Sequence, residues 1–148
     1  MAYDAELLLR VLVAGLLSGA LGWERQRAGK PAGFRTLLLV GMAACLFVVA
    51  GEAAAVSYPA TSAALRIEPF ALIQAVAVGI GFLGAGVVFL SHDGTRVIGL
   101  TTAASIWATA AIGLTVGFGR YLLAVGTTIL MLITLRVLMR FDNSHPHD

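Results

Sequence analysis

Gly79-Ile-Gly-Phe-Leu-Gly-Ala-Gly86 lies inside an uncharged run from Pro69 to Leu90. By letter pattern, Gly79, Gly81 and Gly84 form G-x-G-x-x-G, the fingerprint of a dinucleotide-binding turn. That chemistry needs a strand before the glycines and a helix opening at them, so that a pyrophosphate meets free backbone N–H groups. Here the glycines sit in the middle of 22 consecutive residues without a charge, long enough to cross a bilayer as one helix. In that setting a glycine serves close backbone approach. Ala75, Gly79, Phe82 and Gly86 fall on one helical face; Ala77, Gly81, Gly84 and Val88 fall on another. Two faces of mostly small residues suit the central member of a helix bundle, so packing is the expected role of Gly79, Gly81, Gly84 and Gly86.

The rest of the chain has the same character. Of 148 residues, 59% are hydrophobic and only 12% charged, against about 25% charged in an ordinary soluble domain. The length suits one domain, and the composition is that of a membrane protein. A net charge of +2, with the cations localised, argues against a nucleic-acid partner. Cys45 stands alone in an apolar run and reads as a small filler. Ser18-Gly-Ala20 looks like a signal-peptide cleavage site. However, Asp4 and Glu6 precede the apolar run, and Arg25, Arg27 and Lys30 follow it, so a retained helix is expected.

Five apolar segments emerge, giving an all-α fold class: a polytopic membrane helix bundle over residues 1–141, with a short polar tail at 142–148. The first segment runs from about Leu7 to Gly22. Arg10 interrupts it near one end, where a long side chain can snorkel to the interface. Gly15, Ser18, Gly19 and Gly22 form a smooth packing stripe. A loop from Trp23 to Arg35 follows, broken by Gly29, Pro31 and Gly33, with Trp23 suited to the membrane interface. Arg35 opens the next helix, where the dipole disfavours a cation; a pair with Glu24 would offset that and clamp two helix ends. The second segment runs from Thr36 to about Ala55. Glu52 to Glu68 is the longest expected loop. Ser91-His92-Asp93-Gly94 reads as a turn after the glycine-rich segment. The fourth segment, about Val97 to Phe118, places Thr102, Ile106, Thr109, Gly113 and Gly117 on one face. The fifth runs from Tyr121 to about Met139. The tail, with His145 and His147, is expected to be disordered. With the N-terminus outside, the inner segments hold seven Lys/Arg and the outer ones three, which favours N-terminus out and C-terminus in.

No catalytic set is visible, and no cofactor is expected. None of the acids stands in the middle of a span, where pumps and proton relays keep one. A divalent-cation path would need carboxylates or carbonyls, and near the inner surface only Glu24 and Asp93 could serve. The polar groups that could touch a partner or an ion are Glu24, Arg25, Lys30, Arg35 and Thr36 at the inner mouth. Thr101, Thr102, Ser105 and Thr109 on the fourth helix form a second group. The bland alternatives are a structural clamp for the first group and helix packing for the second.

Three stretches together resemble the MgtC/SapB family of bacterial membrane proteins. They are Leu21-Gly-Trp-Glu-Arg25 with Gly29-Lys-Pro-Ala-Gly-Phe-Arg-Thr36, then Gly79 to Gly86, then the run from Gly99 to Gly113. The resemblance covers about residues 7 to 140. It implies a five-helix domain in the bacterial inner membrane, adaptation to low magnesium and, in pathogens, survival inside macrophages. It also implies a regulator of other membrane proteins rather than an enzyme, although the family carries a magnesium-transporter label. MgtC-type members add a soluble domain after the fifth helix, so a short form without it is expected here. The pathogen member, which acts on the F-type ATP synthase, has Asn and Cys where Thr101 and Ala108 stand, so that activity is not carried over. Expected partners are the lipid bilayer, further copies of the chain as a homo-oligomer, and another inner-membrane protein. A transport component for magnesium or another small solute is the alternative.

Overall fold

The computed structural model describes residues 2–57, 68–90 and 97–142. Five helices form: α1 (Ala2–Arg27), α2 (Phe34–Ser57), α3 (Pro69–Ala85), α4 (Leu100–Gly117) and α5 (Tyr121–Asp142). Between α3 and α4, β1 (Phe89–Leu90) pairs antiparallel with β2 (Val97–Ile98), Phe89 opposite Ile98 and Leu90 opposite Val97. The expected turn at Ser91–Gly94, most of the loop from Glu52 to Glu68, and the tail beyond 142 lie outside the described residues. Helices α1, α2 and α4 are long and apolar enough to cross a membrane; α3 and the Tyr121–Val137 part of α5 are shorter apolar helices.

The first helix runs well past Gly22, so Trp23 to Arg27 are helical rather than loop. Glu, Gln and Arg are good helix formers, and Arg25 and Arg27 in the last turn complement the helix dipole. A Schellman motif stops the helix: Gly29 N–H donates to Gln26 C=O at 3.1 Å and Lys30 N–H to Arg25 C=O at 3.1 Å, with Gly29 at φ +67°. The same device separates α4 from α5, where Gly119 N–H bonds Val116 C=O and Arg120 N–H bonds Thr115 C=O.

Helices α1, α2 and α4 pack on one another and form the heart of the fold. Leu37, Ile112, Val116, Ala14 and Cys45 are fully buried there. Small residues let these backbones close. A Cβ on Gly113 would overlap the Gly41 carbonyl oxygen, one on Gly22 would lie 2.7 Å from Phe34 Cα, and one on Gly117 would lie 2.7 Å from Val48 Cβ. Gly15 and Gly19 face Met42 and Phe34 in the same way.

The glycine-rich segment departs from expectation twice. It is helical for only 17 residues, not 22. Gly86 and the β-branched Val87 and Val88 favour leaving the helix, and the chain turns into β1. It is also not the central helix. Helix α3 packs mainly on α4 and touches α2 lightly. A Cβ on Gly79 or Gly81 would meet nothing within 4 Å, and one on Gly84 would meet only Ala103, at 3.7 Å. The central position belongs to α4, whose hydroxyl-and-glycine face is buried at Thr102, Ile106, Thr109, Gly113 and Gly117.

Candidate functional site

Helical continuation through Trp23–Arg27 decides where the charges of α1 point. Glu24 and Arg25 are carried inward with the buried face; Glu24 is 6% exposed and Arg25 1%. Arg25 Nη2 donates to Thr102 Oγ1 at 3.2 Å, joining α1 to the first turn of α4. Its Nε, and Oε2 of Glu24, are buried with no hydrogen-bond partner among the described residues. A buried guanidinium held by one hydroxyl is an unusual arrangement, because burying a charge is costly unless it is paired.

The expected clamp between Glu24 and Arg35 does not form; the ion pairs seen among the described residues join Arg10 to Glu6 and to Glu52. Glu24 turns into the bundle on α1, whereas Arg35 stands exposed at the start of α2. Gln26 caps α2 instead, its side-chain oxygen accepting from Phe34 N–H at 3.2 Å. Lys30 and Thr36 are exposed beside Arg35.

On α4 the hydroxyls turn to their own helix. Ser105 Oγ donates to Thr101 C=O at 2.7 Å and Thr109 Oγ1 to Ser105 C=O at 2.7 Å. Such bonds satisfy a buried hydroxyl without a ligand. Thr101 is exposed, so of this group Thr102 is the one joined to a charge on another helix.

A second polar cluster lies at the other end of α1. Arg10, expected to reach the interface, finds partners on three helices near their ends. It lies across the bundle, with Nη2 on Glu6 at 2.6 Å and Nη1 on both Glu52, at 2.7 Å, and the Gly117 carbonyl, at 3.2 Å. Tyr3 Oη adds a long bond to Glu52, at 3.4 Å. This cluster escapes a sequence reading that starts the loop at Glu52, where the second apolar segment is still continuing; Glu52 is helical on α2. The available signal was two lone opposite charges, Arg10 near the start of the first apolar run and Glu52 near the end of the second, positions that consecutive antiparallel helices bring to the same level. Also missed were Gly41, where a side chain would collide with the Ser18 hydroxyl, and the buried Thr128 on α5.

No group of three or more His, Cys, Asp and Glu able to hold a metal is found among the described residues. Asp93 lies outside them.

The MgtC family model matches residues 11–144. The chain belongs to the MgtC family. Protein SrpB of Synechococcus elongatus is 42% identical over 137 residues, covering 85% of this chain and 71% of the relative. YhiD of Escherichia coli K12, named provisionally as a magnesium transporter, is 37% identical over 133 residues, covering 90% of this chain and 60% of the relative. Protein MgtC of Salmonella typhimurium LT2 is 37% identical over 125 residues, covering 84% of this chain and 49% of the relative. The chain thus spans between about half and seven-tenths of the length of these relatives. No solved structure matches it. The MgtC-family match takes in both polar ends of α4, the open glycines of α3 and all of α2.

Proposed function

We propose that this MgtC-family chain is a multi-pass protein of the bacterial inner membrane, with its N-terminus out and C-terminus in. It acts there as a non-enzymatic regulator in magnesium-linked, virulence-type adaptation, by helix–helix contact with itself or with another membrane protein. The open face of α3 carries this reading: a wide arc with Gly79 at one edge, Gly81 at the other and Val78 and Phe82 between them. Gly79 and Gly81 have nothing within 4 Å of where a side chain would start, and Val78 and Phe82 beside them are 70% and 81% exposed. An apolar groove of about 430 Å³, lined by residues such as Leu39, Ala43, Phe47, Ala75 and Gly79, runs between α2 and α3. Glycine in a helix interior destabilises it by roughly 0.5–1 kcal/mol; close approach by another helix would offset that cost. The crowding of Lys and Arg into the segments assigned inside supports the orientation. Counting all five helices as spans asks α3 to cross with 17 residues, about 25 Å of helix, in a hydrocarbon core of about 30 Å.

The test is oligomer size in detergent and in lipid. Gly81→Leu leaves the monomer fold intact, since its side chain enters open space, and it should abolish assembly. Unchanged assembly would sink the reading. The second reading, a transport component for magnesium or another small solute, is favoured by the buried, unpartnered oxygen of Glu24 and by the provisional name of YhiD. Magnesium flux into liposomes holding this protein alone, lost in Glu24→Ala, would select it.

A further inference from the structure

The regulator reading leaves a separate cavity unused. It measures about 340 Å³, opens between the end of α1 and the first turn of α2, and is lined in part by Gln26, Lys30, Phe34, Arg35 and Thr36. Two cations line it and no carboxylate does. Neither Lys30 nor Arg35 has an ion-pair partner among the described residues. Gln26 Oε1 accepts from Phe34 N–H, which leaves the Gln26 NH2 group as a donor. The Thr36 hydroxyl can donate as well.

A second, independent feature sets the level of this cavity in the membrane. Trp23 is half exposed, its ring edge-on to Phe34 at 6.2 Å between centroids. The Arg27 guanidinium lies 5.2 Å from the Trp23 ring centre. Exposed tryptophan backed by a cation is the pattern of the headgroup region, where one end of the ring is apolar and the other wet. The cavity therefore opens where lipid phosphates lie.

We propose that this cavity binds a phosphate-bearing anion, the phosphate of an anionic phospholipid headgroup, held by Lys30 and Arg35 with Thr36 and Gln26 as further donors. Guanidinium and ammonium groups supply charge-assisted bonds to phosphate oxygens. Basic pockets beside membrane helices recognise headgroups in this way. With two cations and no acid, the site discriminates against zwitterionic lipids, whose ammonium it would repel. The proposal rests on membrane placement alone and is independent of what α3 contacts.

The test uses Trp23 as reporter, in the full chain with Trp107→Phe, in phosphatidylcholine nanodiscs doped with brominated lipid. Brominated phosphatidylglycerol should quench Trp23 more than brominated phosphatidylcholine at the same fraction. Lys30→Gln and Arg35→Gln should each lower that preference about fivefold, and the double variant should lose it. Arg35→Lys should keep most of it, and Arg120→Gln, at the start of α5, should change nothing. Equal quenching by the two lipids, or a preference that survives in the double variant, would overturn the proposal. Inorganic phosphate, against chloride at matched ionic strength, separates the two sources of the anion. If it erases the preference, the site takes free phosphate and the lipid assignment falls; if it does not, the lipid assignment stands.

Discussion

Gly113→Ala tests the packing at the heart of the fold. A Cβ at this position would overlap the carbonyl oxygen of Gly41 and come 3.0 Å from Ala44 Cβ. The obstacle is the backbone of α2, so no rotamer change relieves it; α2 and α4 must move apart. Overpacking costs about 1–3 kcal/mol, and a backbone obstacle takes the upper end, about 3 kcal/mol. The better helix propensity of alanine returns about 1 kcal/mol. The net loss is about 2 kcal/mol. Gly81→Ala is the matched control. It gains the same propensity with nothing within 4 Å of the new atom, so the monomer should be stabilised by up to about 1 kcal/mol. Reversible unfolding of the detergent-solubilised monomer, followed by circular dichroism as denaturing detergent is added, measures both. A Gly113→Ala protein as stable as the wild type would refute the reasoning.

Arg10→Gln removes a guanidinium that ties α1 to Glu52 of α2 and to the carbonyl end of α4. Because both carboxylates are more than a third exposed, solvent screens the pairs and the expected loss is about 1–2 kcal/mol. The gap to wild type in the same unfolding assay should shrink at high salt; a gap indifferent to salt would speak against an ionic origin. Thr102→Val keeps the volume but takes away the acceptor of the Arg25 bond, and should cost about 1–3 kcal/mol. Thr101→Val, on the exposed side of α4, should cost less than about 0.5 kcal/mol; equal losses would show that the Arg25 contact contributes nothing particular.

Much of α4 was legible, because Thr102, Ile106, Thr109, Gly113 and Gly117 recur at helical spacing and so share one face. Thr102, Thr109 and Gly113 could therefore be placed together from spacing alone. Helix α3 was not legible in the same way. Small residues recur on two of its faces, and nothing local says which of them has a neighbour within the chain. Its end was hidden too, since Val87 and Val88 are as apolar as the helix before them and only their β-branching hints at a strand. The orientation of Glu24 and Arg25 turned on whether α1 stopped at Gly22 or ran to Arg27, a matter of one helical turn. Moving that boundary replaced an expected Glu24–Arg35 clamp with a buried Arg25–Thr102 contact between residues 77 positions apart. The partners of Arg10 were hidden for a different reason. The direction of a long flexible side chain is set by its partner, and Glu52 lies 42 residues away.

The central claim is that this MgtC-family chain works through contact at the open face of α3. The most direct measurement is thiol cross-linking in native membranes, with Gly79→Cys introduced beside Cys45→Ala so that it is the single cysteine. The account predicts a discrete covalent adduct, with a second copy of the chain or with one defined membrane protein. The adduct should be lost when Gly81→Leu is added and absent when the cysteine is placed at Leu122, an 89% exposed position on α5. A Gly79→Cys protein that stays monomeric while a small thiol reagent labels it freely would contradict the account.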